Sequence, residues 1–222
     1  RVVRLQVRVP RSERPDSFVS WLQEQALSTR IYWRSRKGDF EAAGMGAADV
    51  VAEEGTFDLA EIFGRMALRE AAPHSNLRYF GGFRFDRTGD IGEEWKPFGA
   101  CRFILPSIEL FRSKDEVFLA CNIVQSVACS REDGCHEVLA LLDAMSSTGS
   151  LAHPWQPNVL SRDDRPDAGD WRGLTEQALA VIDEGAFDKV VLARESRFRF
   201  AETPDVVAVF ARMAARARDV YR

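Results

Sequence analysis

The chain has 222 residues, 45% hydrophobic and 29% charged, the composition of a soluble globular protein of one or two domains with ample core. Its formal net charge of −4 offers no basic surface for nucleic acid, and it neither requires nor forbids a local cationic site for a small anion. No apolar run is long enough to span a membrane, and the N-terminus reads as an alternating strand rather than a signal peptide, so a cytoplasmic location is expected.

The four cysteines are Cys101, Cys121, Cys129 and Cys135. Cys101 and Cys121 sit in strand-like apolar surroundings, as small core residues do, and reduced thiols are expected. Cys129 and Cys135 flank a polar turn just before His136. A metal site needs several ligands converging at suitable spacing, and no CxxC pair is present, so no metal is expected there.

Val3, Leu5, Val7 and Val9 alternate with Arg4, Gln6 and Arg8. That predicts a strand with its apolar face buried and its arginine face solvated, stopped by Pro10. Pro15-Asp16-Ser17 opens a short helix carrying Phe18, Trp21 and Leu22 on one side. Ile31 to Trp33 predicts the next strand, Lys37-Gly38-Asp39 a turn, and Phe40 to Gly46 a strand whose glycines permit close backbone approach. Phe57 to Ala72 has helical apolar spacing, and Pro73 follows it. His74 is expected in a solvated loop.

Arg78 to Asp86, RYFGGFRFD, reads as an aromatic strand in which Gly81-Gly82 permits a bulge or close packing. The pair lacks the spacing and the following helix of a dinucleotide-binding loop. Ala100 to Leu105, Ile108 to Arg112 and Val117 to Val124 then predict consecutive antiparallel strands, with a turn at Ser113-Lys114-Asp115. Arg102 and Glu109 are read as charged residues on solvated strand faces rather than as catalytic groups. Glu132 to Met145 is read as a helix burying Val138, Leu139 and Leu142.

The polar, proline-bearing stretch after it includes Arg162-Asp163-Asp164-Arg165 and a solvated His153, and reads as a surface connector. The expected organisation is an N-terminal antiparallel-sheet portion over 1–146, a connector over 147–170, and a second portion over 171–222. Asp170 is the expected N-cap of a helix striped by Trp171, Leu174, Ala178 and Ile182, ending at Glu184-Gly185. A strand then begins at Lys189, with Val190 and Leu192 on one face and Val191 and Ala193 on the other, both expected to be buried. Phe198 and Phe200, alternating with Arg197 and Arg199, extend it outward. Thr203-Pro204-Asp205 starts a last helix with Val206, Val209, Phe210, Met213 and Ala217 on its buried side.

Lys189 at the mouth of that strand has two readings. It is a strand-end lysine snorkelling to water, or an ammonium whose desolvation lowers its pKa and frees the amine to act as a base near neutral pH.

Three stretches carry a family resemblance. Phe187 to Arg194, FDKVVLAR, resembles the motif of the chorismate-utilising enzymes, and most closely of the isochorismate synthases. Arg78 to Asp86 resembles the FGG-x-x-FD segment of menaquinone-type members. Trp95 to Leu110 resembles their W-x-x-FG-x-x-RF-x-LP-x-x-EL pattern, through Phe98-Gly99, Arg102-Phe103, Leu105-Pro106 and Glu109-Leu110.

The resemblance implies an α+β fold with antiparallel sheets packed in layers and helices outside. It implies an isomerase that interconverts chorismate and isochorismate with Mg2+, in menaquinone biosynthesis. Water attacks one ring carbon as the hydroxyl leaves another, Lys189 acting as the general base and a glutamic acid protonating the departing group. It further implies that the chain covers only the first half of such an enzyme. The metal ligands, the general acid and the groups gripping the substrate carboxylates then lie outside 1–222. The chain alone is expected to be inactive, and its exposed apolar surface to meet the missing half or another copy. Arg194 matches the motif's arginine and is expected to be structural. Rival expectations are a salicylate, anthranilate or aminodeoxychorismate synthase, or a non-catalytic interaction module.

Overall fold

A computed structural model of the chain describes residues 2–69, 76–86, 91–125, 130–145 and 156–216. It divides into two compact units, Arg1–His153 with Phe210–Arg222, and Pro154–Val209. The elements in chain order are β1 (Val2–Arg8), α1 (Phe18–Gln23), β2 (Arg30–Arg34), β3 (Phe40–Met45), β4 (Asp49–Glu53), α2 (Leu59–Arg69), β5 (Phe80–Phe83), β6 (Cys101–Leu105), β7 (Ile108–Ser113), β8 (Glu116–Val124), α3 (Arg131–Asp143), β9 (Val159–Arg165), α4 (Ala168–Asp183), β10 (Glu195–Phe200) and α5 (Val206–Arg216). The architecture is α+β with antiparallel sheets, as expected. No helix among the described residues is long and apolar enough to cross a membrane.

The first unit holds two sheets. One has five strands in the order β1-β8-β7-β3-β2, and the other three in the order β4-β6-β5. Side chains alternate across each strand, so every residue of β7 is committed to one of two layers. Ile108 and Leu110 face the layer that holds Phe18, Trp21 and Leu22 of α1, Ala43 and Met45 of β3, and Leu141 and Leu142 of α3. Phe111 faces the other, with Ala42, Ala120, Phe40, Phe118 and Phe80 of the second sheet. Ile62 of α2 packs on Val51 and Cys101, covering that second sheet. Burial in this cluster pushes the Cys101 thiol pKa up, which keeps it protonated and inert.

α1 starts where the sequence places it, with the Ser17 hydroxyl capping the Ser20 N–H. α3 begins with a reciprocal capping box between Ser130 and Asp133. Gly81 is required by close approach: a Cβ there would stand 1.9 Å from the Arg102 carbonyl oxygen, whereas at Gly82 it would meet nothing within 4 Å. The predicted roles of His74, Cys129, His153 and Ala217 fall outside the described residues.

Two expectations are corrected. Glu109 does not sit on a solvated face; it is fully buried. It shares its layer with Phe111, and its charge is met by Arg4 at 2.7 Å and Arg78 at 3.4 Å. Arg4 also donates to the Asn122 side chain at 2.9 Å, and Asn122 donates to the Pro106 carbonyl at 2.8 Å. The Arg78 guanidinium lies 4.5 Å from the Phe40 ring centroid and 4.7 Å from that of Phe111. A buried carboxylate is tolerable only with such partners, and short-range sequence pattern does not reveal partners 105 and 31 positions away (109 − 4 and 109 − 78).

The second correction follows from the first. Arg4 is drawn inward by Glu109, its side chain only 5% exposed, while Leu5 and Val7 on the opposite face are 59% and 62% exposed. β1, at a sheet edge, is therefore open on both faces over most of its length, Gln6 and Arg8 being exposed as well, and only Val2 and Arg4 are held inward.

Candidate active site around Lys189

The second unit is built from α4, β9 and β10. Asp167 caps α4, its carboxylate accepting from the N–H groups of Gly169 at 2.8 Å and Asp170 at 2.9 Å. The expected cap, Asp170, lies inside the first turn, where its charge still favours the helix N-terminus. Part of the span expected as connector is a strand: β9 pairs antiparallel with β10, from Glu195 opposite Arg165 to Phe200 opposite Val159, with a bulge at Arg199/Phe200.

α4 ends in a Schellman turn. Gly185 adopts φ +75°, its N–H bonds the Ile182 carbonyl at 2.9 Å, and the Ala186 N–H bonds the Val181 carbonyl at 3.2 Å. The chain emerges from that turn as Phe187-Asp188-Lys189. At the far end of the segment, the Arg194 guanidinium donates to the Asp164 carboxylate at 2.7 Å. Asp164 also accepts from the Ser196 hydroxyl at 2.6 Å and from Arg162 at 2.9 Å. The Ser196 hydrogen bond first, and then Arg162, hold the Asp164 carboxyl below the usual carboxylate range. Lys189 is thus strung between two fixed points, the Gly185 turn and the Arg194–Asp164 contact.

The strand expected from Lys189 is not formed. Residues 189–194 make no ladder among the described residues, and pairing starts at Glu195. Pro166 follows β9 directly, opposite Arg194 in the continued register, and it has no N–H to extend the ladder. The faces expected to be buried are open: Val190 and Val191 are exposed, and so is Lys189. Among the described residues Lys189 has no hydrogen-bond or ion-pair partner, and the apolar enclosure that would desolvate its ammonium is not supplied by them. Nor does any group of three or more His, Cys, Asp or Glu among the described residues converge to hold a metal ion.

Arg194, expected to be structural, donates to Asp164 in the structure. Its partner Asp164, which also accepts from Ser196, was not anticipated. The available signal was the charged run Arg162 to Arg165, which is a strand carrying the anchor rather than a solvated loop.

The family model described as "Chorismate binding enzyme" matches residues 1–222. The isochorismate synthase MenF of Escherichia coli is 28% identical over 201 residues, which are 88% of this chain and 41% of that protein. Isochorismate synthase 2, chloroplastic, of Arabidopsis thaliana is 26% identical, over 100% of this chain and 43% of its own length. MenF of Bacillus subtilis is 27% identical, over 84% and 42%. The chain therefore spans less than half the length of these relatives. The solved structure of the menaquinone-specific isochorismate synthase MenF of Escherichia coli superposes with a TM-score of 0.76 at 23% identity, over 99% of this chain and 46% of that one, which establishes the shared fold. With its whole length matched by the family model and its fold matched by a solved relative, the chain belongs to the chorismate binding enzyme family.

Proposed function

We propose that the protein carrying this chain is an isochorismate synthase, an isomerase acting on chorismate, with Lys189 as its general base. The observation that carries the reading is the Phe187–Arg194 motif, set in a chain whose relatives are named isochorismate synthases in two bacteria and a plant. Lys189 takes a proton from water, the resulting hydroxide forms the new C–O bond, and the departing hydroxyl leaves as water after protonation by an acid. One water enters and one leaves, so substrate and product are isomers. A base near neutral pH needs its ammonium destabilised, and burial of the now open Val190, Val191 and Leu192 segment against further chain would provide that.

The acid, the groups that bind the substrate carboxylates and the ligands of Mg2+ belong, on this reading, to sequence beyond the described residues. Among the described residues no group of three or more His, Cys, Asp or Glu converges to hold the ion. The menaquinone pathway is supported by the FGG-x-x-FD form of Arg78 to Asp86 and by the MenF names. On this reading the acid lies outside the chain, the chain by itself is inactive, and the protein is cytoplasmic.

The test is product analysis of chorismate incubated with the full-length protein, with and without Mg2+. Isochorismate formed only with the metal supports the proposal. Salicylate, or aminated products formed from ammonia, would replace it with one of the neighbouring chemistries.

A further inference from the structure

We infer that Arg78 and Tyr79 are the register lock of β5, holding in one alignment a strand whose own residues permit two. β5 is the terminal strand in the order β4-β6-β5 among the described residues, and half of it is glycine. Hydrophobic pattern normally fixes register, because a slip of one residue sends every side chain to the other face; glycine-rich strands lose that control. In the observed register Phe80 opposes Ile104, Gly81 opposes Phe103 and Phe83 opposes Cys101. Opposed residues share a face. Tyr79 and Phe83 therefore lie on the α2 side, Phe83 with its ring 6.0 Å from that of Phe57, while Phe80 lies on the side of Phe111.

One slip is open to this strand. Moving it so that Gly82 opposes Phe103 again puts a glycine where a Cβ would strike the Arg102 carbonyl oxygen. Phe80 then opposes Leu105 and Phe83 opposes Arg102, so each face still receives an aromatic ring. The opposite slip drives Phe80 into the close approach and is excluded by size. What separates the two permitted registers lies just before the strand. Arg78 reaches the Glu109 carboxylate at 3.4 Å, its guanidinium 4.5 Å from the Phe40 ring centroid and 4.7 Å from that of Phe111. Tyr79, on the other face, donates its hydroxyl to the Asp49 carboxylate of β4 at 2.6 Å. A one-residue slip carries both side chains about 3.4 Å along the strand and turns each to the wrong face. Both contacts are then lost together, and the RYFGGFRFD segment owes its single alignment to its first two residues.

The test reads the register of β5 in the full-length protein by oxidative cross-linking to Cys101, with the linked peptides identified by mass spectrometry. Phe83→Cys opposes Cys101 in the observed register. The Arg84 N–H bonds the Ala100 carbonyl at 2.9 Å, which makes the adjacent 83–101 pair a non-hydrogen-bonded one within disulfide reach. Arg84→Cys opposes Cys101 only after the slip. With the anchors intact, Phe83→Cys should link about tenfold more than Arg84→Cys or better. In the double variant Arg78→Met/Tyr79→Phe, which leaves Glu109 its Arg4 partner at 2.7 Å, that ratio should fall by about tenfold. Both yields are read against the same buried thiol, so its slow oxidation cancels. Should the double variant lose its fold by circular dichroism, Tyr79→Phe alone, smaller by one oxygen atom, should lower the ratio by about threefold. A ratio that the anchor variants leave unchanged overturns the inference, as does Arg84→Cys linking as well as Phe83→Cys while both anchors are in place.

Discussion

Arg194 and Asp164 meet at 2.7 Å across the start of the β9–β10 pair, 30 residues apart in sequence, and fix the outgoing end of the segment that carries Lys189. Asp164 accepts three hydrogen bonds, from Arg194, Ser196 and Arg162, and its carboxyl is held low, chiefly by Ser196. A depressed carboxyl contributes stability above its unfolded pKa, about 3.9, and loses that contribution as pH falls through the lower folded value. Asp164→Asn should therefore unfold less steeply than wild type below about pH 4, while being the less stable of the two at pH 7. Urea midpoints of both proteins across pH 3 to 7 check this; parallel curves would contradict it.

The incoming end depends on Gly185. Its φ of +75° is left-handed, and a side chain added there would meet nothing within 4 Å. The cost of Gly185→Ala is then backbone strain alone, about 1–2 kcal/mol, and Gly185→Asn should cost less. Chemical denaturation of the two variants measures the difference; an alanine variant as stable as wild type would mean that the turn relaxes.

Glu109 is the one carboxylate among the described residues that is fully buried, with Arg4 and Arg78 on either side. Glu109→Gln keeps the shape and leaves two inward-facing cations without their counter-charge. Breaking a buried pair from one side costs about 3–5 kcal/mol. Equilibrium unfolding should register a loss of that order, and a loss below about 1 kcal/mol would mean that the arginines find water instead.

Gly81 and Gly82 are adjacent and chemically identical, yet their substitutions should differ sharply. Gly81→Ala drives a methyl group into the Arg102 carbonyl and must part β5 from β6, whereas Gly82→Ala projects into open space. A thermal shift of several degrees for the first and near zero for the second is expected. Equal shifts would contradict the close approach at Gly81.

Much of this fold was legible because local pattern decided it. Helices α1, α2, α3 and α4 and strands β3, β6, β7 and β8 follow from apolar spacing, Ser17 and Gly185 as end signals, and the Ser113–Asp115 turn. β4 was missed, being five residues with a single buried valine, Val51. β9 was missed because VLSRDDR has no alternation; backbone pairing with β10 makes it a strand, and Asp164 then earns its role through Arg194 and Ser196. Glu109 and Arg4 escaped for the same reason, their partnership being long-range. Lys189 was found by motif, but its environment depends on what packs against it, which its own decapeptide does not encode.

The central claim is that Lys189 is the base. The direct measurement is the rate of isochorismate formation by the full-length protein, wild type against Lys189→Ala, with the fold verified by circular dichroism. Loss of a general base predicts a fall in kcat of at least about 100-fold. A variant that keeps its rate within a few-fold of wild type would make Lys189 a strand-end lysine and contradict the assignment.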